Sequence, residues 1–166
     1  LPIQLSLVDK YSEFDFIIAG VNSHSEEYYR SFIGERNNVK LIYDNTYSIL
    51  NNAHCAVVTS GTATLETALF NVPEVVCYKA NALSFLAAKY LVKIQYISLV
   101  NIILKESAVV ELLQDKWNED CLEKEFKKIC FDETYREQMQ YLFNKLKNIL
   151  GDSGASPSIA QSIIED

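Results

Sequence analysis

The sequence has few arginines and histidines and lacks the residue groupings that mark a metal or nucleic-acid site. Three arginines (Arg30, Arg36 and Arg136) and two histidines (His24 and His54) occur among 166 residues, and the formal net charge is −7. A surface of that sign repels phosphate backbones, so general nucleic-acid binding is not expected. Two isolated histidines do not make a metal site, and neither a metal nor another cofactor is expected.

Long hydrophobic runs and paired cysteines are also missing. No apolar stretch approaches the ~18–20 residues that span a bilayer, and no signal peptide opens the chain. The four cysteines (Cys55, Cys77, Cys121 and Cys130) include no C-x-x-C pair. They are predicted to be free thiols in a reducing compartment, with Cys55 and Cys77 inside apolar runs. A location in the cytoplasm or on a cytoplasmic surface is therefore expected.

What the chain does have is the composition of a folded domain. Apolar residues make up 49% and charged residues 22%, a balance that predicts one globular domain over residues 1–166. The first eight residues are typical of a helix already under way, with no initiator Met and no strand before them. We therefore expect a fragment of a longer protein, with a further domain preceding it.

Short apolar runs alternate with amphipathic stretches through the first hundred residues. Buried strands are predicted at residues 14–19, 39–43, 56–59, 74–78 and 96–99, and helices at residues 25–33, 46–52, 62–70 and 82–91. Strands that alternate with helices at this spacing predict parallel pairing. The fold class is predicted to be α/β, a Rossmann-like parallel sheet with flanking helices.

A helical C-terminal segment is predicted from about Glu106 onward. The apolar residues Leu122, Phe126 and Ile129 recur at helical spacing, and Glu111 falls within an apolar stretch predicted to be helical. A final helix is predicted to begin at Ser156, with a proline in its first turn, and to end at residue 164.

The run Ser60–Glu66 is the candidate ligand-binding segment of the sequence. It follows a buried strand and opens a helix with the sequence Ser-Gly-Thr-Ala-Thr-Leu-Glu. Ligands of open parallel sheets bind beyond the carboxyl ends of strands, and a helix N-terminus suits an anion such as a diphosphate. Gly61 allows close approach, and hydroxyls of Ser60, Thr62 and Thr64 are expected to donate. Glu66, one turn deeper, is placed to accept from ribose hydroxyls.

A purely structural interpretation also fits this run, with Ser60 as an N-cap and Glu66 complementing the helix dipole. Other positions have similar alternatives. His24 follows the first strand and is either a cleft residue or a loop residue, and a structural role is favoured for His54. Lys79 at a strand end could contribute charge, and residues 43–46 could contact a nucleotide base. Asn101 is predicted to follow a strand, where its amide could bind sugar hydroxyls or phosphate or could cap the following turn.

These motifs resemble the C-terminal half of bacterial lipid-A-disaccharide synthase. The resemblance rests on the runs at residues 60–66, 71–79, 88–93, 96–101, 109–114 and 151–156. It implies a donor-nucleotide domain of a glycosyltransferase with two Rossmann-like domains and a cleft between them. It places Ser60, Gly61 and Thr62 at the diphosphate of a UDP-sugar and Glu66 at the ribose. Asn101 and Glu111 match polar family positions near the cleft.

The reaction that the resemblance implies joins UDP-2,3-diacylglucosamine to 2,3-diacylglucosamine 1-phosphate, giving lipid A disaccharide 1-phosphate with inversion and without a metal. The UDP-sugar is a substrate rather than a cofactor. The lipid acceptor is expected to bind mainly to the absent half, which also supplies the general base, so no catalytic residue is assigned and the isolated chain is predicted inactive. Peripheral contact with the inner face of the bacterial inner membrane is implied, and a homodimer stays open.

Two alternatives remain at this stage. The Ser-Gly-Thr-x-x-Leu-Glu core is shared with other two-domain UDP-sugar enzymes, such as a 2-epimerase or an N-acetylglucosaminyltransferase. The second alternative is a non-catalytic module that binds a nucleotide. The Pro-Gly-Ser-Arg loop that the family has at the first strand of this half is absent from the sequence.

Overall fold

The computed structural model of the chain describes residues 1–79 and 95–151. The strands are β1 (Phe16–Gly20), β2 (Val39–Tyr43), β3 (Ala56–Thr59), β4 (Glu74–Tyr78) and β5 (Val110–Leu113). The helices are α1 (Pro2–Lys10), α2 (Glu26–Ile33), α3 (Thr46–Asn52), α4 (Thr62–Leu69), α5 (Leu99–Leu104), α6 (Glu119–Phe131) and α7 (Glu133–Leu150). A 3-10 turn (Gln114–Lys116) follows β5.

The strands form two parallel sheets. β1 pairs with β2, with Phe16 opposite Val39. β4 lies between β3 and β5, with Val76 opposite Glu111. Helices α2, α3 and α4 each connect one strand to the next in sequence, which is the arrangement that parallel pairing requires. The predicted α/β, Rossmann-like fold is confirmed.

Helix ends are set by short polar side chains and by glycine. Ser25 accepts a hydrogen bond from the N–H of Tyr28 at the start of α2, and Asp132 accepts one from Tyr135 at the start of α7. Each bond satisfies a backbone donor that the helix itself leaves free. Gly34, with φ of 62°, ends α2 in the left-handed region that glycine adopts at no steric cost.

Two hydrophobic clusters support the two sheets. The larger, here the β4 cluster, packs strands β4 and β5 against α6 and α7, and includes Val75, Val76, Leu112, Leu122, Phe126 and Phe143. The smaller, here the β1 cluster, packs β1 and β2 against α1 and α2, and includes Leu5, Val8, Tyr29, Ile33 and Val39. Phe16 contacts both. Leu7 of α1 and Tyr11, the residue that follows this helix, belong to the β4 cluster, so this part of the chain joins the two.

Two predicted elements after residue 95 are wrong. Residues 96–99 were expected to be a strand, but Ser98 caps helix α5 by accepting from the N–H of Asn101 at 3.3 Å. The fifth strand is β5 instead, where a helix was predicted, and it contains Glu111. Apolar runs of about four residues show no measurable period, so local pattern does not separate strand from helix, and pairing with β4 decides the outcome.

The remaining boundaries agree with the sequence prediction to within two residues. Strands β2, β3 and β4 and helix α3 have the predicted bounds, and β1 begins at Phe16 rather than at residue 14. Helices α6 and α7 fill much of the predicted C-terminal helical segment. The predicted helices at residues 82–91 and after Ser156 lie outside the described residues.

The four cysteines are free thiols, as predicted. Burial raises the pKa of Cys55 and of Cys77 to about 12. Because the thiolate is the reactive form, we expect both to be alkylated by iodoacetamide at pH 8 at least ~100-fold more slowly than a free thiol. Peptide mass spectrometry after timed alkylation, with a guanidinium-unfolded sample as reference, measures this. Equal rates in the folded and unfolded samples would contradict the burial of these thiols.

Candidate functional site

An open turn lies between β3 and α4. The N–H of Ser60 donates to the carbonyl of Cys77 at 3.0 Å, which holds the turn beside the carboxyl end of β4. Gly61 has φ of 156° and ψ of −163°, a region that residues with a side chain rarely adopt. A Cβ built on Gly61 meets no atom within 4 Å. The backbone is therefore exposed at the carboxyl edge of the sheet, where ligands of such folds bind.

Helix α4 begins at this turn without a side-chain cap. Gly61 is its N-cap residue, and within residues 1–79 and 95–151 the first N–H groups of the helix have no side-chain cap. The alternative in which Ser60 serves as N-cap is therefore wrong. Thr62 and Ala63 are exposed in the first turn, so their backbone donors and the positive end of the helix dipole face outward. The arrangement can accept an anion.

Thr64 has a different role from the one expected. Its side chain is buried, and its hydroxyl donates to the carbonyl of Gly61 at 2.8 Å. The bond fixes the conformation of the turn, so the Thr64 hydroxyl is not presented to a ligand. Ser60 is half-buried and Thr62 is exposed, so these two residues of the turn stay accessible.

Glu66 follows Thr62 by one helical turn and lies on the same face of α4. It is half-buried, and its carboxylate has no hydrogen-bond or ion-pair partner in residues 1–79 or 95–151. An unpaired acceptor beside an uncapped helix end is the combination that the sequence predicted for a nucleoside diphosphate. Ser60, Gly61, Thr62 and Glu66 thus share one region of the structure, while their binding roles stay predictions.

Asn101 and Glu111 lie together in a second place. The Asn101 amide donates to Glu111 and to the carbonyl of Val109, both at 2.9 Å, and its oxygen accepts from Ala108 at 2.8 Å and Val109 at 3.0 Å. Asn101 is 1% exposed, and these four bonds occupy every donor and acceptor position of its side chain. Its role in the described structure is to join α5 to β5.

Glu111 anchors the segment ahead of α5. Its carboxylate accepts from the backbone N–H of Ile97 at 2.9 Å and of Ser98 at 2.9 Å. The expectation that Glu111 lies on a helix is wrong, because it is in β5 opposite Val76. A contact from Asn101 or Glu111 to a sugar stays a prediction, and the hydrogen bonds give both residues a structural explanation.

Other predicted positions lie along the same carboxyl edge. Lys79 is exposed one residue beyond β4. His24 stacks on Tyr28 with ring centroids 4.4 Å apart, in the loop after β1. At the end of β2, the Tyr43 hydroxyl is buried and has no hydrogen-bond partner in the part of the chain that the structure describes, and Asp44 has φ of 54°. A base contact by residues 43–46 stays a prediction.

His54 lies at the opposite edge and has the structural role that the sequence favoured. Its Nε2 lies 2.8 Å from the carbonyl of Cys130 at the end of α6. Arg136 donates to the carbonyl of His54 at 3.0 Å and also to that of Ile129. These contacts tie the loop before β3 to the junction of α6 and α7.

The sequence reasoning missed Glu74. This first residue of β4 is 0% exposed, and among the described residues neither of its carboxylate oxygens has a hydrogen-bond partner. Burial raises the pKa of Glu74 well above its ordinary value of 4.5. The available signal was an acidic residue directly before the apolar run Val75–Tyr78, which predicted a strand buried on both faces. Glu74 is at the amino end of β4, opposite the Ser60–Gly61 turn.

No helix in residues 1–79 or 95–151 is long and apolar enough to cross a membrane. No group of three or more His, Cys, Asp or Glu side chains in those residues is arranged to hold a metal ion.

The parallel sheets, flanking helices and open strand-to-helix turn define an α/β protein of the Rossmann type. A family model described as lipid-A-disaccharide synthetase matches residues 3–158. The chain belongs to this family.

Curated relatives agree with the family match. Lipid-A-disaccharide synthase of Syntrophus aciditrophicus is 33% identical over 96% of this chain and 43% of its own length. The Nitrosococcus oceani protein of the same name is 37% identical over 77% of this chain and 33% of its own length. The protein of the same name from Geobacter sulfurreducens is 28% identical over 96% of this chain and 42% of its own length. The chain thus spans less than half the length of these relatives.

Proposed function

We propose that the chain is the donor-binding part of a glycosyltransferase that joins UDP-2,3-diacylglucosamine to 2,3-diacylglucosamine 1-phosphate, with inversion and without a metal. The observation that carries this is the uncapped N-terminus of α4 behind Gly61, with the unpaired carboxylate of Glu66 one turn further on. Family membership supports the choice of sugar nucleotide. The acceptor and the general base belong to another part of the full-length enzyme.

In this proposal the diphosphate lies against the turn from β3 to α4. The N–H groups of Thr62 and Ala63 and the hydroxyls of Ser60 and Thr62 donate to phosphate oxygens. As the glycosidic bond to the sugar breaks, charge accumulates on the departing diphosphate, and the fixed helix end stabilises it without reorganisation. Lys79, exposed beyond the neighbouring strand, adds positive charge to the same edge.

Ribose recognition is assigned to Glu66. A carboxylate accepts from two vicinal hydroxyls, and it is too far along the helix to repel the phosphates strongly. The base then extends toward the ends of β1 and β2, where Tyr43 and Asp44 lie. The full-length protein is proposed to act at the inner face of the bacterial inner membrane, where its lipid acceptor resides.

Titration calorimetry tests the nucleotide assignment. UDP is expected to bind more tightly than ADP or GDP, and Glu66→Ala is expected to weaken UDP binding by roughly 10- to 100-fold. The reason is that hydrogen bonds to a charged group contribute about 1.5–3 kcal/mol. Glu137→Ala, at an exposed position on α7, serves as the matched control. Equal affinity of the Glu66→Ala variant and the unmodified chain would remove Glu66 from the site.

The substitution Gly61→Val tests independently whether the diphosphate binds at the turn from β3 to α4. The added side chain enters the open space above the turn and requires a backbone conformation that valine avoids. UDP and inorganic pyrophosphate are both expected to lose affinity, whereas uridine is expected to be less affected. A panel of acylated and non-acylated UDP-glucosamines then separates the proposed enzyme from other UDP-sugar enzymes.

A further inference from the structure

Two cysteine side chains meet at the amino edge of the larger sheet. Cys55 lies directly before β3, and Cys130 lies in the last turn of α6. A hydrogen bond joins their thiols. Cys130 belongs to the β4 cluster, and the half-buried Cys55 packs against it. These two residues, here the thiol pair, take no part in the proposed nucleotide site, which lies at the opposite end of β3.

Two neighbouring side chains hold together the backbones that carry the thiol pair. Nε2 of His54 lies 2.8 Å from the carbonyl of Cys130. Arg136 of α7 donates to the carbonyl of His54 at 3.0 Å and also to that of Ile129. A disulfide requires two cysteines whose Cα atoms lie within about 7 Å and whose side chains converge. The contacting thiols and the cross-links beside them indicate such an arrangement.

The other two cysteines are too far away to compete for the thiol pair. Cys77 lies opposite Thr59, so it is about 13 Å further along the strand direction than Cys55. Cys121 is in the first turn of α6, about 13 Å along the helix axis from Cys130. Neither distance allows a disulfide without movement of the backbone. The fold therefore favours one pairing among the four cysteines.

The surroundings of the thiol pair determine how fast its sulfurs react. Burial raises the pKa of both thiols, to about 12 for Cys55, and the positive charge of Arg136 opposes the rise at both. Because the thiolate is the reactive form, the pair reacts slowly. His54 and Phe131, each adjacent in sequence to one of the cysteines, are exposed. A small reagent can therefore reach the sulfurs by local opening of a loop and a helix end.

We propose that Cys55 and Cys130 form an oxidation site, which a small-molecule disulfide such as oxidised glutathione converts to a reversible intramolecular disulfide. The structure contains the reduced form, in which the cysteines are free thiols. The proposal does not depend on the nucleotide site, because its evidence and its tests involve neither the Ser60–Gly61 turn nor Glu66.

The reaction removes two electrons from the thiol pair. The thiolate that forms first attacks one sulfur of the small disulfide, so that its S–S bond breaks and one small thiolate leaves. The second protein thiolate then attacks the protein sulfur of this mixed disulfide. The bond between Cys55 and Cys130 forms, and the second small thiolate leaves. The two protons of the pair pass through water to the two small thiols, which are the reduced products.

The new bond is expected to stabilise the fold. It joins the start of β3 to the end of α6 and closes a loop of about 75 residues, which restricts the unfolded chain. The thiols already touch in the folded state, so the bond requires little rearrangement there. The melting temperature of the oxidised chain is therefore expected to exceed that of the reduced chain by about 5 °C or more.

Timed oxidation of the whole chain tests the proposal. The reduced protein is incubated with oxidised glutathione at pH 8, the remaining thiols are blocked with iodoacetamide in guanidinium, and peptides are analysed without reduction by mass spectrometry. The peptide that links Cys55 to Cys130 is expected to exceed every other linkage and the mixed disulfides by at least ~10-fold, because the second thiol is already in position. Dithiothreitol is expected to remove the link and the gain in melting temperature.

Serine variants provide the controls. Cys121→Ser is expected to keep the link and the rise in melting temperature, whereas Cys130→Ser is expected to lose both. Three results would each overturn the proposal. They are glutathione retained on either member of the thiol pair without a link, a link to Cys77 or Cys121 in equal yield, and a lower melting temperature in the linked chain. Failure of the folded chain to form any link, while the guanidinium-unfolded chain does, would also contradict it.

Discussion

Replacement of Glu74 by methionine is expected to raise the free energy of unfolding at pH 7 by about 1–3 kcal/mol, the usual cost of burying a polar group without a partner. Glu74 is fully buried, and both of its carboxylate oxygens lack hydrogen bonds to any residue in 1–79 or 95–151. Methionine has a similar length, contains no group that needs a partner, and adapts to irregular surroundings. The Met139 side chain already contacts Glu74, because its sulfur lies 3.3 Å from the Glu74 backbone nitrogen.

The same substitution is expected to change how stability depends on pH. The pKa of Glu74 is raised in the folded state, so above pH 4.5 the folded protein keeps a proton that the unfolded chain releases. The favourable contribution of the Glu74 carboxyl to the free energy of unfolding is therefore fully present below pH 4.5. It is lost as the pH rises toward the pKa of the folded state. The stability difference between the methionine variant and the unmodified chain should grow with pH above 4.5.

Urea unfolding from pH 4 to 8, followed by circular dichroism, measures both effects. Glu137→Met is the matched control, because Glu137 is exposed on α7 and its replacement should change stability by less than about 0.5 kcal/mol. A destabilised Glu74→Met variant, or a difference that stays constant with pH, would show that the carboxyl group has a partner in solution.

Asn101→Ala is expected to lower the free energy of unfolding by about 2–4 kcal/mol. The substitution leaves the N–H groups of Ala108 and Val109 and the carbonyl of Val109 without their partner. Each buried group left unpaired costs about 1–3 kcal/mol, partly offset by relaxation. The amide also contacts the Glu111 carboxylate at 2.9 Å, so the variant loses one of the bonds that hold α5 against β5.

Two readouts separate this structural role from a sugar contact. If Asn101 only stabilises the fold, Asn101→Ala lowers the urea midpoint while UDP affinity stays unchanged under conditions where the variant is folded. If Asn101 instead binds the ligand, the variant loses UDP affinity and its urea midpoint stays unchanged. Asn144→Ala, at an exposed position on α7, is the control for loss of an asparagine from the chain.

Local sequence patterns were sufficient for the elements that lead to the candidate site. The strand at residues 56–59 and the helix from Thr62 were predicted because a buried apolar run, small turn residues and an amphipathic stretch follow one another within fifteen residues. The position of Gly61 at the N-cap depends on the same short segment. No distant contact is needed to identify this turn.

Features that depend on distant residues were not predicted. Glu111 belongs to a strand because β4 is its neighbour, and four apolar residues by themselves contain no information about that neighbour. The roles of Asn101 and Glu74 likewise follow from what packs around them. Sequence spacing suggested a ligand contact for Asn101, whereas the fold satisfies its amide internally.

Helix α1 links the two hydrophobic clusters and so bears on the thermal unfolding of the chain. Leu5 and Val8 of this helix enter the β1 cluster, whereas Leu7 and the C-cap residue Tyr11 enter the β4 cluster, so the helix and its cap contribute to both cores. Loss of this helix exposes apolar surface in both. Although no strand of the described residues pairs across the two sheets, we expect α1 to couple their unfolding, so that heating produces a single cooperative transition rather than two.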